Sequence, residues 1–159
     1  MQVQKTNQAY TSPLTDNFGN IMKNMILILM SCFLLNACAS QNSSTYQQLG
    51  GQPKVEEIVD NFITEIEFDS EMFEFFKDSD IDRFREKLIE HLCLLTGGPC
   101  QYTGDSMEQV HGGMNITEST FNHGVDLFIN AMTKADIPHP IQNKILAVMI
   151  HTRDQIIYH

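Results

Sequence analysis

The sequence predicts an all-α fold, and three observations carry this prediction. Apolar side chains recur every three or four residues in four long segments, which is the spacing of an amphipathic helix. Glycines and prolines lie between these segments, where helices end. No segment alternates apolar and polar residues as a half-buried strand does. We therefore expect about four long helices and a few single turns.

The first long helix is predicted to begin at Gln52-Pro53, because a proline in the first turn loses only an N–H that would be unpaired anyway. A brief turn capped by Thr45 precedes it and ends at Leu49-Gly50-Gly51. Asp69-Ser70 ends the helix, and a compact group of phenylalanines follows. The apolar stripe consists of Val55, Ile58, Val59, Phe62, Ile63 and Ile66.

The second long helix is predicted over residues 81–96, with Asp80 or Asp82 as its N-cap. Gly97-Gly98 stops this helix, and Pro99 prevents it from continuing. Its stripe consists of Ile81, Phe84, Leu88, Leu92 and Leu95.

Three further helical segments complete the pattern. A short turn is predicted over residues 106–110. The third long helix follows Thr117, which is an acceptable N-cap. Pro138 and Pro140 separate it from a last helix over residues 141–157.

The first part of the chain resembles a bacterial lipoprotein signal. Lys23 precedes an apolar run of 11 residues, 25–35, which is too short to span a bilayer but typical of a secretory signal. The run leads into Leu35-Asn36-Ala37-Cys38, which resembles the box whose cysteine is lipidated. We predict that residues 1–37 are an N-terminal extension and signal peptide and that residues 38–44 are a polar linker. The alternative is a buried helix that contains a cysteine by chance.

Location and charge follow from the same segment and from composition. Ala39, rather than aspartate, follows Cys38, and by resemblance to Gram-negative lipoproteins this favours the periplasmic face of the outer membrane. The lipid would anchor a soluble domain to the cell envelope. The chain has 20 acidic and 10 basic residues, a net charge of −10. Such an acidic chain is not expected to bind nucleic acid or anionic lipid surfaces.

The cysteines divide into two groups. Cys32 leaves with the signal, and Cys38 is the predicted lipid site. Cys93 and Cys100 remain on either side of Gly97-Gly98, which reverses the chain. In an oxidising compartment they could form a disulfide, or they could be two unrelated thiols.

Taken together, residues 46–157 resemble the group I truncated haemoglobins. The resemblance implies a two-over-two helical sandwich around haem b (iron protoporphyrin IX), in a globin domain of residues 45–159. The matching residues are Leu49-Gly50-Gly51, Val59-Asp60-Asn61-Phe62, Phe75-Phe76, Leu95-Thr96-Gly97-Gly98-Pro99, Tyr102-Thr103-Gly104, Met107, His111, Ile116-Thr117 and Phe121.

The resemblance also implies roles for individual residues. His111 carries over as the proximal iron ligand, Phe76 as the phenylalanine packed on the porphyrin, and Lys87 as the partner of a propionate. A neutral imidazole is a suitable axial ligand, and Gly112-Gly113 lets the backbone turn beside it. The other residues expected around the cofactor are Phe84, Leu88, Tyr102, Met107, Ile116 and Phe121.

The remaining histidines are expected at the surface or at the edge of the core. His91 follows Leu88 by about one turn and could approach the distal side, but direct coordination is the minor alternative. This group consists of His91, His123, His139, His151 and His159.

The expected distal side departs from the family. Ile63 follows Phe62 where relatives typically have tyrosine, and Leu88 stands where they often have glutamine. Phe84 occupies the gate position, and Phe62 is the fourth residue of the expected distal pocket. A hydrogen bond to partly charged O₂ is worth roughly 1.5–3 kcal/mol. Its loss predicts O₂ release faster by about one to two decades, and a preference shifted towards CO and NO.

These observations favour a reversible binder of O₂, NO or CO, with an unknown reductant, over an enzyme. NO dioxygenation needs a long-lived oxygenated form, which an apolar distal side undermines. Peroxidase chemistry needs a distal acid–base group, and none is evident. A third alternative is a haem-free interaction module of the envelope, against which His111, Phe76 and Lys87 argue.

Overall fold

A computed structural model describes residues 43–159 and, upstream of them, only Lys23. The regular elements of this part of the chain are all helical, and the all-α prediction is confirmed. The elements are α1 Thr45–Leu49, α2 Gln52–Phe68, α3 Ser70–Phe76, α4 Ile81–Leu95, α5 Met107–His111, α6 Glu118–Lys134, α7 His139–Met149 and a 3₁₀ helix Ile150–Gln155.

The predicted signal peptide, the lipid site Cys38 and most of the predicted linker lie outside the described residues. Within residues 43–159, and at Lys23, no helix combines the length and the apolar character that crossing a bilayer requires.

Side-chain caps determine where several helices begin. Ser44, not Thr45 as predicted, caps α1 by accepting a backbone N–H from its first turn. Asp80 caps α4, so Asp82 lies inside the first turn, where an acidic side chain also favours the helix dipole. Thr117 caps α6 as predicted. The starts of these helices are therefore fixed by local hydrogen bonds.

The prediction of one helix over residues 141–157 is wrong at both ends. α7 already begins at His139, because Pro140 fits within its first turn. It ends at Met149, where the chain tightens into the 3₁₀ helix. The Thr152 hydroxyl donates to the Met149 carbonyl oxygen at 2.7 Å, and this local bond replaces the partner that a longer α-helix would supply.

The core lies where the four long helices meet. α2 packs against both α4 and α6, and α4 also contacts α7, which gives the two-over-two arrangement. The side chains at its centre have almost no exposed surface, and they come from all four helices. They are Val55, Ile58, Val59, Leu92, Met132 and Ile145.

The connection from α4 to α5 is held close to the end of α4. Cys93 and Cys100 form a disulfide whose Cα atoms lie 5.9 Å apart, and Cys93 is fully buried. Gly97 turns the chain with a φ of +79°, a conformation that favours glycine. A Cβ on Gly98 would lie 2.5 Å from the Cys93 sulfur and 2.7 Å from the Tyr46 ring. The connection is thus both cross-linked and tightly packed.

The segment that follows α5 is fixed by residues from the end of the described chain. The Asn115 N–H donates to the His159 carbonyl oxygen at 3.0 Å, and the Tyr158 N–H donates to the Ile116 carbonyl oxygen at 2.9 Å. These two bonds position the connection between α5 and α6.

Candidate haem site

A cavity of about 610 Å³ lies among α3, α4, α5, α6 and the 3₁₀ helix. Its wall is mainly apolar, and many of the wall residues are aromatic. Such a space suits a large, flat, mostly apolar molecule with a few polar groups at one edge. The aromatic side chains in the wall are Phe62, Phe75, Phe76, Phe84, Tyr102, Phe121 and Phe128.

His111, the last residue of α5, lines this cavity. Its Nδ1 lies 2.8 Å from the Met107 carbonyl oxygen. Because a carbonyl oxygen only accepts, Nδ1 carries the proton, and the lone pair of Nε2 is left to bind a metal. Burial lowers the pKa of His111, although the bond to Met107 opposes this shift. The ring is therefore neutral at neutral pH, the form in which histidine ligates iron.

Local sequence explains the position of α5. Ser106 and Gln109 form a capping box: the Gln109 N–H donates to the Ser106 hydroxyl at 3.3 Å, and the Ser106 N–H donates to the Gln109 side chain at 3.0 Å. After His111, Gly113 adopts a φ of +82°, which lets the chain leave the helix sharply. The Ser-x-x-Gln spacing is thus a helix-start signal that can be found in the sequence.

One corner of the cavity is polar. α4 contributes Arg83, Lys87 and His91, which are spaced four residues apart and so lie along one helix face. The connection from α4 to α5 contributes Tyr102 and Asp105. We call these five residues the polar corner. The Tyr102 hydroxyl donates to the Asp105 carbonyl oxygen at 2.7 Å, which fixes the ring against the corner.

Lys87 lies at this corner, as a propionate partner should, but its ammonium already has three protein partners. It lies 2.8 Å from Glu86, 3.1 Å from Glu90 and 2.7 Å from the Thr103 hydroxyl. The carboxylates of Glu86 and then Glu90 raise the pKa of Lys87, so the side chain stays charged. A propionate that contacts Lys87 would have to share it with these groups.

The apolar side chains expected on the distal side divide between two cavities. Phe62, Phe84 and Leu88 line the large cavity and have only hydrocarbon to offer. Ile63 instead lines a neighbouring cavity of about 100 Å³. The rings of Phe76 and Phe84, with centroids 4.8 Å apart, border both cavities.

All the residues predicted to surround the cofactor line the large cavity. They are Phe76, Phe84, Lys87, Leu88, Tyr102, Met107, His111, Ile116 and Phe121. Sequence reasoning missed Arg83 and gave His91 only a minor chance of reaching the haem, although both residues line this cavity. The four-residue spacing from Lys87 is the signal that could have placed both on the same face.

The residues present fit haem. An apolar cavity with aromatic walls suits the porphyrin, Nε2 of His111 suits the iron, and the N–H groups of Arg83 and Lys87 in the polar corner suit the propionates. His111 and the phenylalanines would hold the ring, and the polar corner would hold its acidic edge.

A two-over-two helical sandwich with one such imidazole at its cavity defines the class of haem-binding globins. The chain belongs to the Bacterial-like globin family, whose model matches residues 44–158.

Several curated relatives are group 1 truncated hemoglobins. The protein GlbN of Mycolicibacterium paratuberculosis is 31% identical over 110 residues, which cover 69% of this chain and 81% of the relative. The group 1 truncated hemoglobin of Tetrahymena pyriformis is 27% identical over 112 residues, which cover 70% of this chain and 93% of the relative.

Solved structures show the same fold. The truncated hemoglobin of Tetrahymena pyriformis in its Fe(III) form aligns with a TM-score of 0.71 and 26% identity, covering 74% of this chain and 100% of that chain. The 2/2 hemoglobin of a Synechococcus species aligns with a TM-score of 0.68 at 17% identity, a likeness in fold alone.

Proposed function

We propose that this protein binds haem b through His111 and reversibly binds a diatomic gas (O₂, NO or CO) in a pocket whose distal wall is apolar. Haem supplies an iron atom with one position left for a gas. The protein supplies the ligand, an apolar enclosure and a corner for the propionates. A reductant of unknown identity would keep the iron ferrous.

The observation that carries this proposal is the state of His111. Its Nδ1 is bonded to Met107, its Nε2 has no hydrogen-bond partner within residues 43–159, and burial favours the neutral ring by lowering its pKa. A core histidine without a ligand would need a partner for both nitrogens. The large cavity beside it supplies the space for that missing partner.

The distal side chains decide which gas is favoured. Phe62, Phe84 and Leu88 exclude water but donate no hydrogen bond. Bound O₂ becomes a hydrogen-bond acceptor, whereas CO and NO are less polarised. The wall therefore penalises O₂ relative to the other two gases.

Because the distal wall is apolar, we consider an enzymatic role less favoured than reversible gas binding. A dioxygenase that converts NO to nitrate needs O₂ to remain bound until NO reaches the site. A peroxidase needs a distal acid–base side chain. Steady-state consumption of NO in the presence of O₂ and a reductant, well above that of free haem, would favour the enzyme over the binder.

The proposal is tested with purified protein and the variant His111→Ala. We expect the wild type to show a Soret band that shifts when CO or NO is added to the ferrous form. The variant should lose most of its haem, and added imidazole should restore part of the band by supplying the ligand. His139→Ala, which changes an exposed histidine outside the cavity, is the matched control. Unchanged haem uptake and gas-induced shifts in His111→Ala would overturn the proposal.

We further propose that the chain is exported as a lipoprotein, lipidated at Cys38 and anchored at the periplasmic face of the outer membrane. The sequence around Cys38 supports this location, and so does the disulfide between Cys93 and Cys100, because disulfides persist in oxidising compartments. Cys38→Ser should move the protein from the membrane fraction to the soluble fraction of a Gram-negative host. Mass spectrometry should find acyl chains on wild-type Cys38 only.

A further inference from the structure

We propose that His91 is a haem-positioning residue that donates a hydrogen bond from its imidazole to a propionate of the haem. This inference rests on the proposed function, since it requires haem in the cavity. It assigns to His91 a role beyond the edge of the core, where the sequence analysis placed it.

The first observation is the position of the ring. His91 is half-buried and lines the same cavity as His111. Its ring packs on Tyr102, with centroids 4.9 Å apart and planes tilted by 45°. Tyr102 is held in turn by its bond to the Asp105 carbonyl oxygen. The His91 ring is therefore supported on one side and open to the cavity on the other.

The second observation is that this polar ring lacks a hydrogen-bond partner among the described residues, although the other donors of the polar corner have one. The Arg83 guanidinium lies 3.2 Å from the Asp105 carboxylate. Lys87 is shared among Glu86, Glu90 and Thr103. The described residues leave no side-chain nitrogen both buried and unpartnered, so the His91 nitrogens are accessible from the cavity, where an occupant with acceptor groups can supply the missing partner.

The third observation concerns the chemistry of that partner. An imidazole carries at least one N–H donor in either protonation state, so the His91 ring can donate to an acceptor in the cavity. The propionates are the acceptors of haem, and the cationic side chains of Arg83 and Lys87 attract them to this corner. A propionate beside Lys87 lies within about one helical turn of His91.

The experiment measures the rate at which ferric haem leaves the holoprotein for an excess of apomyoglobin. His91→Phe keeps an aromatic ring against Tyr102 and removes the N–H, and we expect it to speed haem loss by about tenfold or more. His91→Gln keeps an N–H donor and should lie closer to the wild type. His139→Phe, which makes the same exchange at an exposed position, should leave the rate unchanged.

Haem dimethyl ester, in which both propionates are esterified, distinguishes a hydrogen bond from His91 to a propionate from simple packing of the His91 ring. Its esters carry no charge and accept hydrogen bonds weakly. Wild type and His91→Phe reconstituted with the ester should therefore lose it at similar rates. Equal rates of haem loss in wild type and His91→Phe would overturn the inference, and so would the same acceleration with haem and with its ester.

Failure of this inference is distinguishable from failure of the proposed function. If the wild type takes up haem through His111 but His91→Phe behaves as the wild type, only the role of His91 is wrong. If the wild type takes up no haem, the proposed function fails, and the inference fails with it.

Discussion

Nε2 of His123, on α6, lies 2.8 Å from the Asp69 carboxylate, which also caps α3. The other carboxylate oxygen of Asp69 accepts the N–H groups of Glu71 and Met72 at 3.1 and 2.8 Å. One side chain thus starts α3 and ties it to α6. Because α3 carries Phe75 and Phe76 into the cavity wall, this contact supports the site from a distance.

Asp69→Ala should therefore lower the free energy of unfolding by about 1 kcal/mol, the usual cost of losing a helix N-cap. The free energy of unfolding is measured by urea denaturation, with circular dichroism as the signal. Glu74→Ala, which removes only an exposed ion pair between α3 and Lys77 just after it, is the control and should change little.

The effect of Asp69→Ala should also depend on pH. The Met72 N–H, and next to it His123, lower the pKa of Asp69 below its ordinary value of 3.8, against the opposing effect of burial. A carboxylate with a lowered native pKa stabilises the fold above its ordinary pKa and loses that effect as the pH falls through the native value. The difference in stability between wild type and variant should thus shrink in acid. A constant difference from pH 7 down to pH 3 would contradict this account of the cap.

Leu88→Gln should slow the release of O₂ from the ferrous protein, because it introduces a hydrogen-bond donor into the large cavity. One such bond corresponds to about one decade in rate. Stopped-flow mixing of the oxygenated protein with CO measures the release. Leu88→Met, which keeps the wall apolar, should leave the rate close to the wild type. Ile63→Tyr should act less strongly, because Ile63 lines the neighbouring cavity.

Reduction of the disulfide between Cys93 and Cys100 should destabilise the protein. Chain entropy alone gives about 2.5 kcal/mol for the short loop that the bond closes. Urea denaturation with and without a phosphine reductant measures the difference. The double variant Cys93→Ala, Cys100→Ala should not respond to the reductant, and a response would show that the wild-type effect has another source.

Gly98→Ala should lower the free energy of unfolding by about 1–3 kcal/mol, since its Cβ would press on the Cys93 sulfur, the Cys93 carbonyl oxygen and the Tyr46 ring. These neighbours are held by the disulfide and the backbone and cannot easily move. Gly124→Ala makes the same exchange inside α6, where the new Cβ meets only the flexible end of Met72 at 3.3 Å. There the gain in helix propensity should offset the contact, leaving stability equal or higher. A similar loss in both variants would argue against local crowding at Gly98.

Periodicity and caps were sufficient to predict most of the helices, because each of these signals acts over a few residues. α2 and α4 begin where Pro53 and Asp80 indicated. The last helix was predicted with the wrong bounds at both ends. Pro140 was interpreted as part of the break although it fits the first turn, and no glycine or proline follows Met149 to mark the change to a 3₁₀ helix.

The site was predictable to the extent that the resemblance supplied residue roles. His91 was placed at the core edge because its four-residue spacing from Lys87 indicates a shared helix face but does not indicate what that face contacts. Its surroundings come from Tyr102 and His111, which the fold brings close across the connection between α4 and α5. The position of Ile63 likewise depends on how α2 and α3 divide the space between two cavities.

The hydrogen bonds that join Asn115 and Ile116 to His159 and Tyr158 have a consequence for the order of assembly. During synthesis, helices α1 to α5 leave the ribosome well before these downstream partners. A nascent chain at that stage contains His111 but lacks the two hydrogen bonds that fix the connection between α5 and α6. Haem binding is therefore expected to follow the synthesis of Tyr158 and His159, and chains truncated within the 3₁₀ helix should retain haem poorly.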